Sequence, residues 1–326
     1  MTTIPATAFG PEVAPIPEQP ARDLSQRAKP AFDRPESLKE GRSAARGAQV
    51  ASSTLLPGIL SGSASAWLDR GLQPKRSPNA LLAQFAGYGY EAGTSWIGPS
   101  QGLPGSPGNA QGFVDELSAV GYDILFNWGE ANAFESDWNA DDDSYVDAAD
   151  IVFYTGHASK DGWVLNAPGD TFLHYSEVGA YPESPGDLWG NNDVEWIIIA
   201  ACGPLQHDSL NGGGNVFDRW RGVFDGLHSL MGYGAVTYDN TEEGRKLIQY
   251  AKGGTPLIDA WFRTAQEVQP STNNFPSPDG PNVYAAALYG YNSVYDDPRY
   301  DHLWGYGSVA LDSPGATSRW FVWTGT

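Results

Sequence analysis

The sequence predicts an α/β fold, a three-layer sandwich with a largely parallel central sheet flanked by helices. Three observations predict it. Strand-length apolar runs alternate with segments of helical spacing from residue 81 onward. Two of those runs, Ile151–Thr155 and Trp196–Ala201, are apolar throughout, as strands buried on both faces are. Each leads into a reactive side chain beside a glycine: His157 follows Gly156, and Cys202 precedes Gly203.

Taken in order, residues 1–76 read as an extended or partly disordered arm, rich in Pro, Ala, Glu and Arg with little apolar periodicity. The arm is a candidate pro-segment, and the dibasic Lys75-Arg76 at its end is a candidate processing site. Residues 77–326 form the folded domain. Leu81–Tyr90 is predicted as a strand that runs into the glycine-rich loop Gly98–Gly108. Asn109–Val120 has helical spacing, with Phe113, Leu117 and Val120 on one face and Gly121 as its stop. Tyr122–Trp128 is a strand, followed by an acidic loop, Gly129–Asp147, and the strand Ile151–Thr155. A Gly- and Pro-rich excursion then separates His157 from the strand Trp196–Ala201. Asn215–Leu230 reads as a helix and Met231–Thr237 as a strand. Thr241–Ala251 and Pro256–Val268 read as helices. Asn282–Leu288, Trp304–Leu311 and Ser318–Thr324 read as the remaining strands.

The chain has 326 residues and a formal charge of −20, and residues 1–76 alone carry about +3. An acidic body repels nucleic acid and anionic membranes, so neither is an expected partner, whereas basic peptides and cations are attracted. No apolar run reaches the roughly 18–20 residues that a membrane span requires. Met1–Pro20 lacks the basic start and apolar block of a signal peptide, which favours a cytoplasmic location. An export-like pattern (Arg42, Arg46, Ala51–Leu60, Ala64-Ser65-Ala66) lies deep in the chain and is broken by Pro57 and Gly58.

Cys202 is the sole cysteine, which excludes an internal disulfide and any multi-cysteine zinc site. Ligands of open α/β sheets bind beyond the carboxyl ends of the strands, where His157 and Cys202 both fall. A neighbouring imidazole can take the proton of a thiol and later protonate a leaving group. Backbone amides at Ala158 and Cys202, in tight turns, are suited to an oxyanion.

Thr155-Gly156-His157-Ala158 after one apolar strand and Ile197-Ile198-Ile199-Ala200-Ala201-Cys202-Gly203 after another resemble the motifs of caspase-like cysteine peptidases. That superfamily (clan CD) includes caspases, legumains and gingipains, and the resemblance covers residues 75–240. It implies a caspase-like sandwich. It also implies Cys202 as nucleophile, His157 as general acid/base, and an oxyanion hole from the amides of Ala158 and Cys202. Ala158 departs from the pattern, which usually has Gly there. The resemblance further implies a specificity pocket after the fifth strand. Asp239, Glu242 and Glu243 lie in that segment, and an acidic pocket would favour basic residues at the cleaved bond. Three functions follow from these residues: a cysteine endopeptidase acting on peptide or protein, a cysteine enzyme performing acyl transfer or cyclisation on a small molecule, and a non-catalytic binding protein on the same scaffold. None requires a cofactor.

Other clusters carry weaker signals. Asp141, Asp143 and Asp147 supply hard oxygen ligands suited to calcium, without EF-hand spacing. Cys202, His157 and His207 are chemically suited to zinc but irregularly spaced. Asn211-Gly212-Gly213-Gly214-Asn215 lacks the Lys-Ser/Thr of a phosphate-binding loop. Trp163, Trp189, Trp220 and Tyr233 read as core, and His228 as a residue favoured at a helix C-terminus.

Overall fold

The computed structural model describes residues 89–166, 171–181, 184–207, 214–273, 282–291, 297–312 and 318–326. The arm 1–76, its Lys75-Arg76 pair and most of the predicted strand Leu81–Tyr90 lie outside them.

The first described strand is β1, Glu91–Trp96. Its sequence, Glu-Ala-Gly-Thr-Ser-Trp, is poor in large apolar residues although every position is buried. Neighbouring side chains occupy the missing volume, since a Cβ on Gly93 would sit 2.0 Å from the Phe126 ring. Helix α1, Ser106–Ser118, follows and leads to β2, Asp123–Gly129. Strand β3 is Ile151–Gly156. The excursion beyond it builds two small sheets. One comprises β4 (Ala158–Ser159), β5 (Gly162–Val164) and β6 (Phe172–His174); the other pairs β7 (Gly179–Tyr181) with β8 (Ser184–Asp187). Strand β9 is Trp196–Ala201, helix α2 is Val216–Trp220 and strand β10 is Ser229–Tyr233. Helices α3 (Glu243–Lys252) and α4 (Leu257–Val268) precede β11 (Tyr284–Tyr291) and β12 (Ser318–Gly325).

Seven strands form the central sheet in the order β12-β11-β10-β9-β3-β1-β2. The five strands β2, β1, β3, β9 and β10 run parallel; β11 pairs antiparallel with β10, and β12 antiparallel with β11. Alternation divides the core into two layers. Ile151, Phe153, Trp196, Ile198 and Met231 face helices α1, α3 and α4, where Phe113, Leu247 and Trp261 are buried. Val152, Tyr154, Ile197, Ile199 and Leu230 face the opposite layer, where Trp138, Trp163, Trp189 and Trp220 pack together. These tryptophans are fully buried core residues, as is Tyr233. Each large apolar side chain removed from water contributes about 1.5–3 kcal/mol, so the isoleucine run of β9 is a principal support of both layers.

Two predicted elements differ. The predicted helix Asn215–Leu230 is helical only over Val216–Trp220, followed by a short 3-10 turn. Gly222 and Gly226 interrupt it, and Gly226 has φ 115° against the backbone of Gly190. Trp304–Leu311 is irregular: Leu303, Trp304, Val309 and Ala310 are buried against the helical layer without joining the sheet. No described helix is long and apolar enough to cross a membrane.

Candidate active site

Strands β3 and β9 are adjacent and parallel, and their register ends at Gly156 opposite Ala201. His157 and Cys202 each lie one residue beyond that last pair. Neighbouring strands run about 4.8 Å apart, so the register brings the two residues to one place on the carboxyl edge of the sheet. Both are partly exposed.

Glycine is required on both sides of this edge. A Cβ on Gly156 would meet the Tyr154 hydroxyl at 2.3 Å. Gly203 has φ 75°, the left-handed turn that carries the chain away from Cys202. The Tyr154 hydroxyl lies 2.5 Å from the Val164 carbonyl and 3.1 Å from the His157 carbonyl, pinning the start of the excursion. Burial, with Cys202 nearby, holds that phenol well above its ordinary range, so it stays a neutral donor.

The imidazole is held by backbone. His157 Nε2 lies 3.0 Å from the Gln101 carbonyl oxygen. A carbonyl only accepts, so Nε2 carries the hydrogen and Nδ1 is left as the basic nitrogen. The thiol is held by the segment after β10. The Thr237 amide donates to Cys202 Sγ at 3.4 Å, and the Thr237 carbonyl and hydroxyl lie 3.6 and 3.7 Å from the sulfur. The sulfur thus accepts from the Thr237 amide and donates to the Thr237 carbonyl, so one residue holds the side chain from both sides.

Ala158 begins β4, where it faces Trp163. The Val164 amide donates to the His157 carbonyl, which makes 157/164 a hydrogen-bonded antiparallel pair and 158/163 the alternate, non-bonded kind. The Ala158 N–H therefore points away from β5, and the methyl that replaces the expected glycine hydrogen is accommodated in the strand.

The three pocket carboxylates separate. Asp239 is an exposed residue whose carboxylate is turned onto the start of α1: Oδ2 accepts from the Gly105 amide at 2.6 Å, and Oδ1 lies 3.4 Å from the Ser106 hydroxyl. Burial of the carboxyl raises its pKa; the bonds from Gly105 and Ser106 and the nearby His157 pull it back. Glu242 points outward to Arg245 and Thr241. Glu243 is a core residue instead of a pocket residue. Its carboxylate accepts from Tyr233, Gln269 and Asn109, and Asn109 also reaches Thr155, two residues before His157. Burial raises its pKa, and these donors oppose the rise.

The calcium candidates do not converge as a ligand set. The Asp147 carboxylate turns inward and accepts from the amides of Gly190, Asn192, Asp193 and Val194, closing the loop before β9. Burial still pushes it up to about 7. Asp141 and Asp143 lie near the surface. Among the described residues, the three carboxylates that gather within 4.8 Å of one another are those of Glu91, Asp150 and Asp193, at the amino edge of the sheet. The His207 ring packs on Phe217 and Phe321.

Gln101, Thr237 and Tyr154 make contacts at the two candidate residues that no sequence motif marks. Two act through backbone atoms, which leave no side-chain signature. The only advance signal is position: a glycine-rich loop after the first strand, and the segment after the fifth.

A family model described as "Domain of unknown function (DUF6345)" matches residues 94–325. No curated protein matches the sequence. Among solved structures, the chain is similar to caspase-1 from Spodoptera frugiperda at 16% identity and a TM-score of 0.32, over 60% of this chain and 83% of that one.

Proposed function

We propose that this chain, which belongs to the DUF6345 family, is a thiol-dependent hydrolase, a cysteine peptidase of caspase-like type that acts on peptide or protein. The observation that carries the reading is the β3–β9 register, which ends one residue before both His157 and Cys202.

In the proposed reaction, His157 Nδ1 takes the proton of Cys202, and the thiolate attacks the scissile carbonyl carbon. The oxyanion formed accepts from the amides of Ala158 and Cys202, where one such donor contributes about 3–4 kcal/mol of barrier lowering. The imidazolium protonates the departing amine as the C–N bond breaks, leaving a thioester on Cys202. Water then gives a proton to His157 and attacks the thioester, releasing the acid and restoring the thiol. Gln101 keeps the ring in the tautomer these steps need, and Thr237 holds the sulfur in place. A preference for basic residues has less support: Glu243 is internal, Glu242 is paired outward, and the Asp239 carboxylate is engaged by the start of α1.

Alkylation by iodoacetamide at pH 7 tests the dyad. Wild type should react at Cys202, and His157→Ala should slow the reaction about 100-fold. Equal rates in the two proteins would sink the enzyme reading. Incubation with a mixed peptide library then separates substrate classes. Cleavage lost in Cys202→Ala supports the peptidase, and a reactive thiol that cleaves nothing favours small-molecule chemistry.

A further inference from the structure

His157 is oriented by a carbonyl, and a carbonyl is only as well placed as its loop. Gln101 lies in the exposed turn between β1 and α1. Internal bonds close that turn: Gln101 and Leu103 donate to the Gly98 carbonyl, and Gly102 to Pro99. These bonds give the turn its shape but do not anchor it to the body. Two acidic side chains from elsewhere in the chain do. Glu130, beyond β2, accepts from the Ser100 amide at 3.0 Å and also from the Ser100 hydroxyl. Asp239, beyond β10, accepts from the Gly105 amide at 2.6 Å. Gln101 lies between the two anchors.

Glu130 reaches Ser100 at a conformational cost. Its φ is 53°, the one positive value outside glycine among the described residues. Residues other than glycine adopt that region rarely, and they persist there where the surroundings impose it. Here the imposed contacts are visible: the Glu130 carbonyl accepts from Asn166 Nδ2 at 2.7 Å and from the Ala133 amide, while its carboxylate holds the turn. Asp239, for its part, lies two residues after Thr237, whose amide meets Cys202 Sγ. One short segment thus touches the thiol and also anchors the loop that holds the imidazole.

We infer that Glu130 and Asp239 are positioning residues: they clamp the 98–106 loop from two sides and so fix the Gln101 carbonyl on His157 Nε2. This deepens the hydrolase reading and rests on it for its catalytic meaning. It assigns Asp239 to the support of the dyad, where the family resemblance implies a substrate pocket.

The experiment reads the His157 ring and the thiol separately in the full chain. Two-bond 1H–15N spectra should place wild-type His157 in the Nε2–H tautomer. Asp239→Ala should give a mixture of tautomers and slow Cys202 alkylation about tenfold. Asp239→Asn keeps an acceptor for Gly105 and should recover most of both. Glu130→Gly removes the second anchor while relieving its backbone conformation, and should behave like Asp239→Ala. If Asp239→Ala fails to fold, Glu130→Gly decides alone. An unchanged tautomer and rate in these variants overturns the clamp, as does an Asp239→Asn protein as impaired as Asp239→Ala. If wild-type Cys202 proves no more reactive than in His157→Ala, the hydrolase reading fails, while the tautomer comparison still decides the clamp.

Discussion

The two ends of the parallel strands treat their titratable groups differently. At the amino edge, His228 is buried between carboxylates: Nδ1 lies 2.6 Å from Asp301 and Nε2 3.2 Å from Asp312. Asp301 also accepts from the Trp196 indole at 3.2 Å and from the Ala310 amide at 2.6 Å, which ties the irregular C-terminal segment to β9 and β10. At the carboxyl edge, His157 and Cys202 are partly exposed and are held by main-chain atoms of Gln101 and Thr237. A histidine with a carboxylate on each ring nitrogen has its charge state committed to the fold. A histidine with one nitrogen on a carbonyl keeps the other available for proton exchange. The same residue type is therefore structural at one edge and a candidate for catalysis at the other.

The largest effect that tests this division is at the amino edge. Asp301→Ala leaves a buried imidazole without its principal partner and should cost about 3–5 kcal/mol, measured by urea unfolding. Cys202 alkylation in the folded variant should match wild type; a slower reaction would show that the edges are coupled. A smaller effect comes from pH. Desolvation opposes the charge on His228, but Asp301 and Asp312 prevail and raise it from 6.5 to about 9. Its contribution is complete below pH 6.5 and disappears as pH rises through about 9. Melting temperature should therefore fall between those values in wild type, and fall less steeply in His228→Gln. Parallel curves would remove the charged histidine from the account. The smallest effect is expected at Glu242, whose outward pairing with Arg245 places it apart from the dyad. Glu242→Gln should leave alkylation and stability unchanged, and a slower thiol would return Glu242 to the site.

Elements of this fold are legible in the sequence where side chains carry the signal. Ile151–Thr155 and Trp196–Ala201 were readable because strands buried on both faces need continuous apolar residues, and both coincide with observed strands. Helices near 109–120 and 256–268 were readable from their apolar spacing. Strand β1 was not, because its small residues yield space to Phe126 and leave no apolar pattern. The short strands of the 158–187 excursion fall below the length at which alternation is detectable. His228 reads in sequence as a helix-end residue because nothing local announces Asp301, 73 positions away. At the site, the dyad was marked by residue type, whereas Gln101 and Thr237 act through atoms every residue has. Asp239 stands out in the sequence by its charge in a segment where the resemblance implies a pocket, and its contacts with Gly105 and Ser106 carry the supporting role.

The β3–β9 register has a consequence for how the molecule is made. Its partners are 45 residues apart, Ile151 opposite Trp196, and the two small sheets lie between them. A parallel pairing across that separation must overcome loop-closure entropy before any contact rewards it, which makes it a slow step of folding. Cys202, the sole thiol of the chain, follows directly on the second strand of that pair. A rise in the alkylation rate of Cys202 during refolding, as the register brings His157 alongside it, therefore serves as a clock on the closing of the central sheet, with no engineered probe needed.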